Sequence, residues 1–488
     1  MHKKNDIIFS CMFFQICFNY HFYGVDYIMA KKPFRFYFAL VCGKLTIELL
    51  RLLRKRATNF PGSVVLTLCP DFLKYLEKPE KTIAVTGTNG KTTVSNMLLD
   101  ILTDNGYDCT NNNFGGNVDT GITAALLKDS TLSGKPRKKY CTLEIDERSA
   151  VRIYPYIHPD YLICTNLTRD SYKRNAHVEY IFDILNSNIP DQTHLILNAD
   201  DLISSSLKKD NKRTYFGMEA FENEQLIDNN IIRDITVCPV CDSPLSYDFL
   251  RYNHIGRARC TKCDFCSPVP DFNTTERTFT PDGRADIKIS VNGNTEEYNV
   301  PCENTINLYN ATAAIAALRT FGLSYEQVSE SFKKISVVKS RFDTYEKNGR
   351  TLKCILAKGQ NPVACSHALN TARSTPDTAV IMIWDDFFDG KTTSENTAWI
   401  YDVDFEFLDN DNIKQIIIAG KRSPDHLLRL LIAGIPREKI KFTEHEEEAA
   451  ELLELDGIKT TYIFFDLYTD HYKEIIKEKV KEKMNNAD

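Results

Sequence analysis

Residues 83–93, Ile-Ala-Val-Thr-Gly-Thr-Asn-Gly-Lys-Thr-Thr, constrain this chain more than any other stretch. Ile83 and Val85 are β-branched strand formers. Gly87 and Gly90 carry no Cβ, so backbone amides there can come close to an anion. Val94, Met97, Leu98, Ile101 and Leu102 follow at helical spacing. The stretch predicts a strand, a glycine turn and a helix start, and a helix N-terminus behind a glycine turn is a phosphate cradle. In that reading Lys91 neutralises β- and γ-phosphates, and the Thr92 hydroxyl holds Mg²⁺. The full P-loop pattern asks for glycine where this chain has Val85, so the loop is the compact form G-T-N-G-K-T-T. An ordinary glycine-rich βα turn is the competing reading. Nucleotide binding is favoured because strand, loop, Lys-Thr and amphipathic helix fall in the required order.

The loop Thr86, Gly87, Thr88, Asn89, Gly90, Lys91, Thr92 and Thr93 resembles the ATP loop of the Mur ligases. Those enzymes activate a carboxylate as an acyl phosphate and then form an amide. The length of 488 residues suggests about three domains. Net charge is −6, and no basic excess points to nucleic acid. Fifteen cysteines, scattered except near 238–266, fit a reducing cytosol better than a disulfide framework.

Residues 1–28 resemble a signal peptide in part, with Lys3 and Lys4 before an apolar run. No small-residue cleavage site follows, and the run is too short to span a bilayer. A start at Met29, or a disordered extension, is favoured over export. Residues 40–53 form an apolar helix followed by Arg54-Lys-Arg56, read as a packed helix with a membrane-surface helix as the alternative. Residues 58–63 read as a turn, and a helix is expected to start at Pro70.

After the loop helix, residues 111–117 are an asparagine and glycine loop. Residues 140–147, 161–167 and 195–201 are apolar strands with polar C-terminal ends. Strands alternating with helices mean a parallel α/β sheet, and ligands bind outside the carboxyl ends of such strands. Resemblance to the Mur ligases' acidic strand end marks Glu144 as the second Mg²⁺ ligand, with Glu147 a weaker candidate; solvated strand-end acids are the bland alternative. Asn166 and Asp170 lie in a T-N-x-x-R-D stretch similar to the family's, but residues 171–176 depart from it. Asn198, Asp200 and Asp201 either contact nucleotide or cap the next segment.

Cys238-x₂-Cys241 and Cys260-x₂-Cys263 are paired knuckles that suit a closed, structural Cys₄ zinc site on a ribbon. Cys266 falls outside the pattern. MurT-like proteins carry a similar segment inside the ATPase domain. The helix at 305–318 resembles the family's Y-N-x-x-N-A-x-A-A element, with Asn307 and Asn310 its polar marks; in the family this element sits beside the nucleotide. Arg341 stands where the family has a Gly-Arg pair, and Lys358 near its L-x-K-N-P segment.

Residues 380–390 end a strand in Asp385, Asp386 and Asp389, and residues 399–406 follow as Trp-Ile-Tyr-Asp-Val-Asp-Phe-Glu. This pair resembles the C-terminal signature of the MurT-like branch, the ligase subunit of lipid II isoglutaminyl synthase, although Trp384 replaces its usual asparagine. The resemblance covers about residues 40–480.

The fold expected is α/β: a Mur-ligase-type central P-loop ATPase domain with a parallel sheet and an inserted Cys₄ zinc ribbon, plus a C-terminal α/β domain. Expected boundaries are 1–28 extension, 29–78 helical region, 79–335 ATPase domain with the ribbon at 236–270, and 336–488 C-terminal domain. The resemblance implies ATP-dependent amidation, with Mg²⁺ and Zn²⁺, of the D-glutamate α-carboxylate in the lipid II stem peptide. It implies a heterodimer with a GatD-type glutaminase partner, to which Asp385 or Asp389 lends a carboxylate. It implies a cytoplasmic protein, peripheral at the inner face of the membrane where lipid II lies, with no nucleic-acid partner. Rival readings are a Mur-type ligase adding an amino acid and a nucleotide-dependent scaffold protein.

Overall fold

The computed structural model describes residues 32–55, 57–112, 116–170, 177–222, 229–335, 342–357, 360–384 and 397–486. Arg341, Lys358, Asp385 and Asp389, the departure at 171–176 and the extension 1–28 lie outside the described residues.

Two large sheets carry the chain. The first has nine strands in the order β11-β10-β9-β6-β5-β4-β1-β3-β2. Its parallel part holds β1 (Lys81–Thr86), β2 (Cys109–Asn111), β3 (Tyr140–Glu144), β4 (Tyr161–Cys164), β5 (His194–Asn198) and β6 (Arg213–Met218). These strands are largely buried, because helices cover both faces of a parallel sheet. One apolar cluster gathers the loop helix Lys91–Asp104 and the helix Thr305–Phe321; the other gathers the N-terminal helices.

The ribbon of β7 (Leu245–Tyr252) and β8 (Ile255–Cys260) is inserted between β6 and β9 (Phe272–Thr280). The strands β9, β10 (Arg284–Val291) and β11 (Asn294–Pro301) form an antiparallel edge that alternation alone did not single out. The second sheet, β12 to β17, runs β12-β13-β17-β14-β15-β16. It includes β13 (Arg350–Leu356), β14 (Thr378–Ile383), β15 (Ile413–Ala419), β16 (Ile440–Thr443) and β17 (Thr460–Phe465), all parallel to their neighbours except at β12 (Phe342–Lys347).

Two expectations about the N-terminal region are corrected. Residues 58–63 are no turn: a helix runs Phe60–Leu68 with Pro61 in its first turn, where proline's missing N–H costs nothing. A Cβ on Gly62 would stand 1.8 Å from the Thr120 carbonyl oxygen, so the glycine admits a neighbouring helix rather than a bend. No helix starts at Pro70. A single helical turn, Phe72–Tyr75, follows it, with Phe72 and Leu73 buried.

Candidate active site

Register places the first parts of the site. Val85 of β1 lies opposite Glu144 of β3, and Thr86 opposite Cys164 of β4. The chain leaves β1 between these two neighbours, so the loop after Thr86 opens into the crevice where strand order switches. Gly87 and Gly90 both have positive φ, 122° and 86°. A Cβ on Gly87 would come within 2.3 Å of Thr165 Oγ1, and one on Gly90 within 2.0 Å of Asn310 Oδ1. The glycines are therefore required by close neighbours as well as by backbone conformation.

The segment after β4 clamps the loop. Thr88 N donates to the Asn166 carbonyl oxygen at 2.8 Å, and Asn89 N to Asn166 Oδ1 at 3.2 Å. Thr165 Oγ1 donates to the Asn89 carbonyl oxygen at 2.6 Å, and Thr88 Oγ1 to that of Thr168 at 3.0 Å. Asn166 and Asn310 thus both reach the loop, the former by hydrogen bonds and the latter by packing on Gly90. Thr86 is buried and donates to the Ile145 carbonyl oxygen, and Thr93 stands in the first helical turn.

Lys91 and Thr92 open the helix Lys91–Asp104, whose first-turn amides have no intrahelical acceptor. Thr92 Oγ1 donates to Glu144 Oε2 at 2.8 Å. Asn117 donates to the other carboxylate oxygen at 3.0 Å, and Asn112 grips the Glu144 backbone from both sides. Neighbouring ligands in an octahedral Mg²⁺ shell stand about 3.0 Å apart, so this hydroxyl and carboxylate fit such an ion. Glu147, the weaker candidate, does something else. Its Oε1 accepts from Lys91 Nζ at 2.8 Å and from Gly87 N at 3.1 Å. Burial works against the Lys91 charge, but Glu147, with Glu144 and Asp146, outweighs it and raises the ammonium's pKa. Burial raises that of Glu147, against the pull of Lys91.

Sequence reasoning left Asn112 and Asn117 without roles; their asparagine-rich loop directly after β2 was the available signal. Asp200 and Asp201 are wholly buried and anchor structure. Asp200 accepts from Arg257 at 2.8 Å, Tyr309 at 2.9 Å and Met218 N at 2.9 Å, joining the ribbon, the helix Thr305–Phe321 and β6. Asp201 accepts from His254 of the ribbon turn at 3.1 Å and from Leu167 N at 2.7 Å. Asn307, the other polar mark, has its amide capped by Asn304.

At the ribbon tip, Cys238, Cys241, Cys260 and Cys263 bring their sulfurs within 4.8 Å of one another. The closest pairs are 3.4, 3.5 and 3.6 Å apart. Tetrahedral Zn–S bonds imply S···S edges of about 3.8 Å, so the four fit a zinc ion. Backbone amides of Val240, Lys262 and Cys263 donate to these sulfurs, as suits thiolates. Cys266 is exposed and lies outside the cluster.

The second sheet's loops reach the same region. Arg169, beside the clamp, donates to Asp234 at 2.7 Å and to Asp402 at 3.0 Å. Asn361 donates to Asp170 at 3.2 Å, and Asp404 accepts from Asn230 at 2.7 Å. Asp402 and Asp404 of the C-terminal signature therefore hold the two sheets together. Trp384 is buried against Phe464 and Trp399, its Nε1 without a hydrogen-bond partner among the described residues.

The profile of the Mur ligase middle domain matches residues 85–318, and that of the MurT ligase C-terminal region matches residues 358–470. The chain is 30% identical over 400 residues to the MurT subunit of lipid II isoglutaminyl synthase (glutamine-hydrolyzing) from Staphylococcus aureus (strain COL), covering 81% of this chain and 88% of that one. It is 29% identical over 413 residues to the same subunit from Streptococcus pneumoniae, covering 84% and 89%. Among solved structures it resembles a pseudomurein peptide ligase type C from Methanothermus fervidus, with a TM-score of 0.63 at 20% identity over 84% of this chain and 81% of that one. It also resembles MurF from Thermotoga maritima in complex with ADP, with a TM-score of 0.55 at 13% identity over 88% and 85%. Fold, loop and both sequence matches agree: this chain belongs to the MurT family of ATP-dependent Mur ligases.

Proposed function

We propose that this chain is the ligase subunit of a glutamine-hydrolysing lipid II isoglutaminyl synthase, working in peptidoglycan synthesis. One observation carries the reading: relatives so named align over four-fifths of the chain, through both the ATP loop and the C-terminal signature. The C-terminal match sets it apart from Mur ligases that add an amino acid. The reaction transfers the γ-phosphoryl group of ATP to the D-glutamate α-carboxylate, releasing ADP. Ammonia then attacks the acyl carbon and expels phosphate, leaving D-isoglutamine.

The residues take these roles. Amides at the start of the helix Lys91–Asp104, with Lys91, hold the β- and γ-phosphates. Thr92 and Glu144 hold Mg²⁺, which offsets the charge that develops in phosphoryl transfer. Asn166 and Thr165 keep the loop in shape, and Asn310 closes its far side. Glu147 keeps Lys91 charged and aimed until phosphate takes its place. A zinc ion on the four cysteines is structural, since all four positions are filled by protein.

Ammonia comes from a GatD-type glutaminase partner in a heterodimer, which receives a carboxylate from Asp385 or Asp389. The ATPase unit spans 79–335 and the C-terminal unit 336–488. The protein works in the cytoplasm, peripheral to the membrane face that displays lipid II; among the described residues no helix is long and apolar enough to cross a membrane. The test is ATP- and glutamine-dependent amidation of lipid II by the co-expressed pair. Absence of isoglutamine in the product, with ATPase intact, overturns the assignment.

A further inference from the structure

The helix Phe34–Leu52, the first among the described residues, is apolar on two opposite faces. Phe36, Ala39, Leu40 and Gly43 are buried, with Phe36 stacked on Phe72 at 4.8 Å. The opposite stripe is exposed. Along it, Tyr37, Val41, Leu45, Leu49 and Leu52 follow at intervals of three and four and point one way. Leu45 is 64% exposed, Leu49 57% and Leu52 81%. A helix that satisfies the core with one face alone should be polar on the other. At 1.5 Å per residue the helix is about 28 Å long, and the stripe runs most of that length.

Charge says what covers the stripe. Residues 27–70 contain eight lysines and arginines and a single acid, Glu48, giving this segment a charge of +7. The whole chain is −6, so everything outside this segment sums to −13. Three of these cations are paired, Arg51 with Glu48 at 3.2 Å, Arg35 with Asp71 at 2.7 Å and Lys32 with Glu77 at 2.9 Å. Arg54 and Lys55 follow at the helix end, both exposed. An apolar stripe bordered by cations, on a chain otherwise acidic, complements an anionic lipid surface. Nucleic acid would match the cations and leave the aliphatic stripe in water.

We propose that the helix Phe34–Leu52 lies in the plane of an anionic membrane surface, with Leu45, Leu49 and Leu52 inserted among the acyl chains and Arg54 and Lys55 at the headgroups. The proposal rests on the peripheral location above only for its purpose; vesicle binding is read without substrate, so either can fail alone. The experiment is flotation of the full chain with phosphatidylglycerol vesicles, with phosphatidylcholine vesicles as the reference. The protein should float with the anionic vesicles, and less so as salt rises. Leu45→Asp/Leu49→Asp/Leu52→Asp should reduce the floated fraction roughly tenfold. Arg54→Glu/Lys55→Glu, at exposed positions that leave the fold alone, should reduce it as well, and both variants should keep ATPase activity. No flotation of the unaltered protein overturns the proposal. So does flotation of both variants at the level of the unaltered protein, which would assign binding to other residues. A dimer that the leucine variant splits, without vesicle binding, assigns the stripe to a second copy. RNA binding lost in the cation variant alone assigns the patch to nucleic acid.

Discussion

The hydroxyl of Thr92 lies 2.8 Å from Oε2 of Glu144, 52 residues further along the chain. The pairing of Val85 with Glu144 in adjacent strands makes this contact, and Asn117 and Asn112 hold the carboxylate in place. If the two oxygens share Mg²⁺, Glu144→Gln should lower ATP turnover by roughly 100-fold or more and raise the Mg²⁺ concentration needed for half-activity. Thr92→Ser should retain the ligand and Thr92→Val lose it. A Mg²⁺ titration of the ATPase distinguishes them; equal half-activity in Thr92→Val removes Thr92 from the ion.

Lys91→Ala should abolish ATP turnover with the fold intact, because the cation facing the phosphates is lost. Near-normal ATPase in that variant would overturn the loop assignment. Glu147→Gln is expected to act differently. It leaves the half-buried Lys91 ammonium without its ion-pair partner, so the nucleotide-free protein should lose roughly 1–3 kcal/mol. Bound ATP should recover most of that, since phosphate replaces the carboxylate. Thermal melts with and without ATP report the difference.

Metal analysis of protein purified without chelator should find one zinc per chain. Cys238→Ser or Cys260→Ser should lower solubility and melting temperature more than turnover per folded molecule, because a closed site acts through folding. Zinc-free protein with an unchanged melt refutes the site.

Much of this was legible in the sequence where local chemistry and structure coincide. Strand, loop and helix at 81–104 follow from β-branched residues, two glycines and helical spacing. Each ribbon knuckle needs only a two-residue spacer to bring its own sulfurs together. Contacts set by tertiary pairing were not legible. Nothing local tells that Glu144 meets Thr92 while Glu147, three residues on, meets Lys91; a turn after β3 decides it. Asp200 and Asp201 stand at a strand end, where ligand contacts are expected, yet their partners come from the ribbon and from Tyr309. The antiparallel edge carried a missed signal, Asn292-Gly293 with positive φ at both residues, which is a two-residue hairpin turn.

His367 packs edge-on against Tyr252 of the ribbon, ring centroids 4.8 Å apart, and burial holds its imidazole down to about 4. The folded pKa lies below the unfolded value, so unfolding takes up a proton as pH falls below about 6.5. Stability should be full above that value and decline toward pH 4, by about 2 kcal/mol after allowing for partial exposure. His367→Phe keeps the ring contact and should flatten this limb of a melting-temperature profile. An unchanged slope would place the titration elsewhere.

The last prediction concerns the acids that follow β14. A glutaminase Cys-His pair needs a third group to hold the imidazole's tautomer and orientation. Asp385 and Asp389 match the acidic positions of the MurT-like signature, and Asp385 stands two positions after Ile383, the last residue of a wholly buried central strand. Asp385 follows that strand more closely in sequence than Asp389 does, so it is the first choice. Asp385→Asn should leave ATPase and complex formation intact. It should suppress amidation driven by glutamine and spare amidation driven by free ammonia, because only the partner's hydrolysis step loses its orienting group. A variant that uses both nitrogen sources as well as the unaltered pair would eliminate Asp385 and move the same test to Asp389.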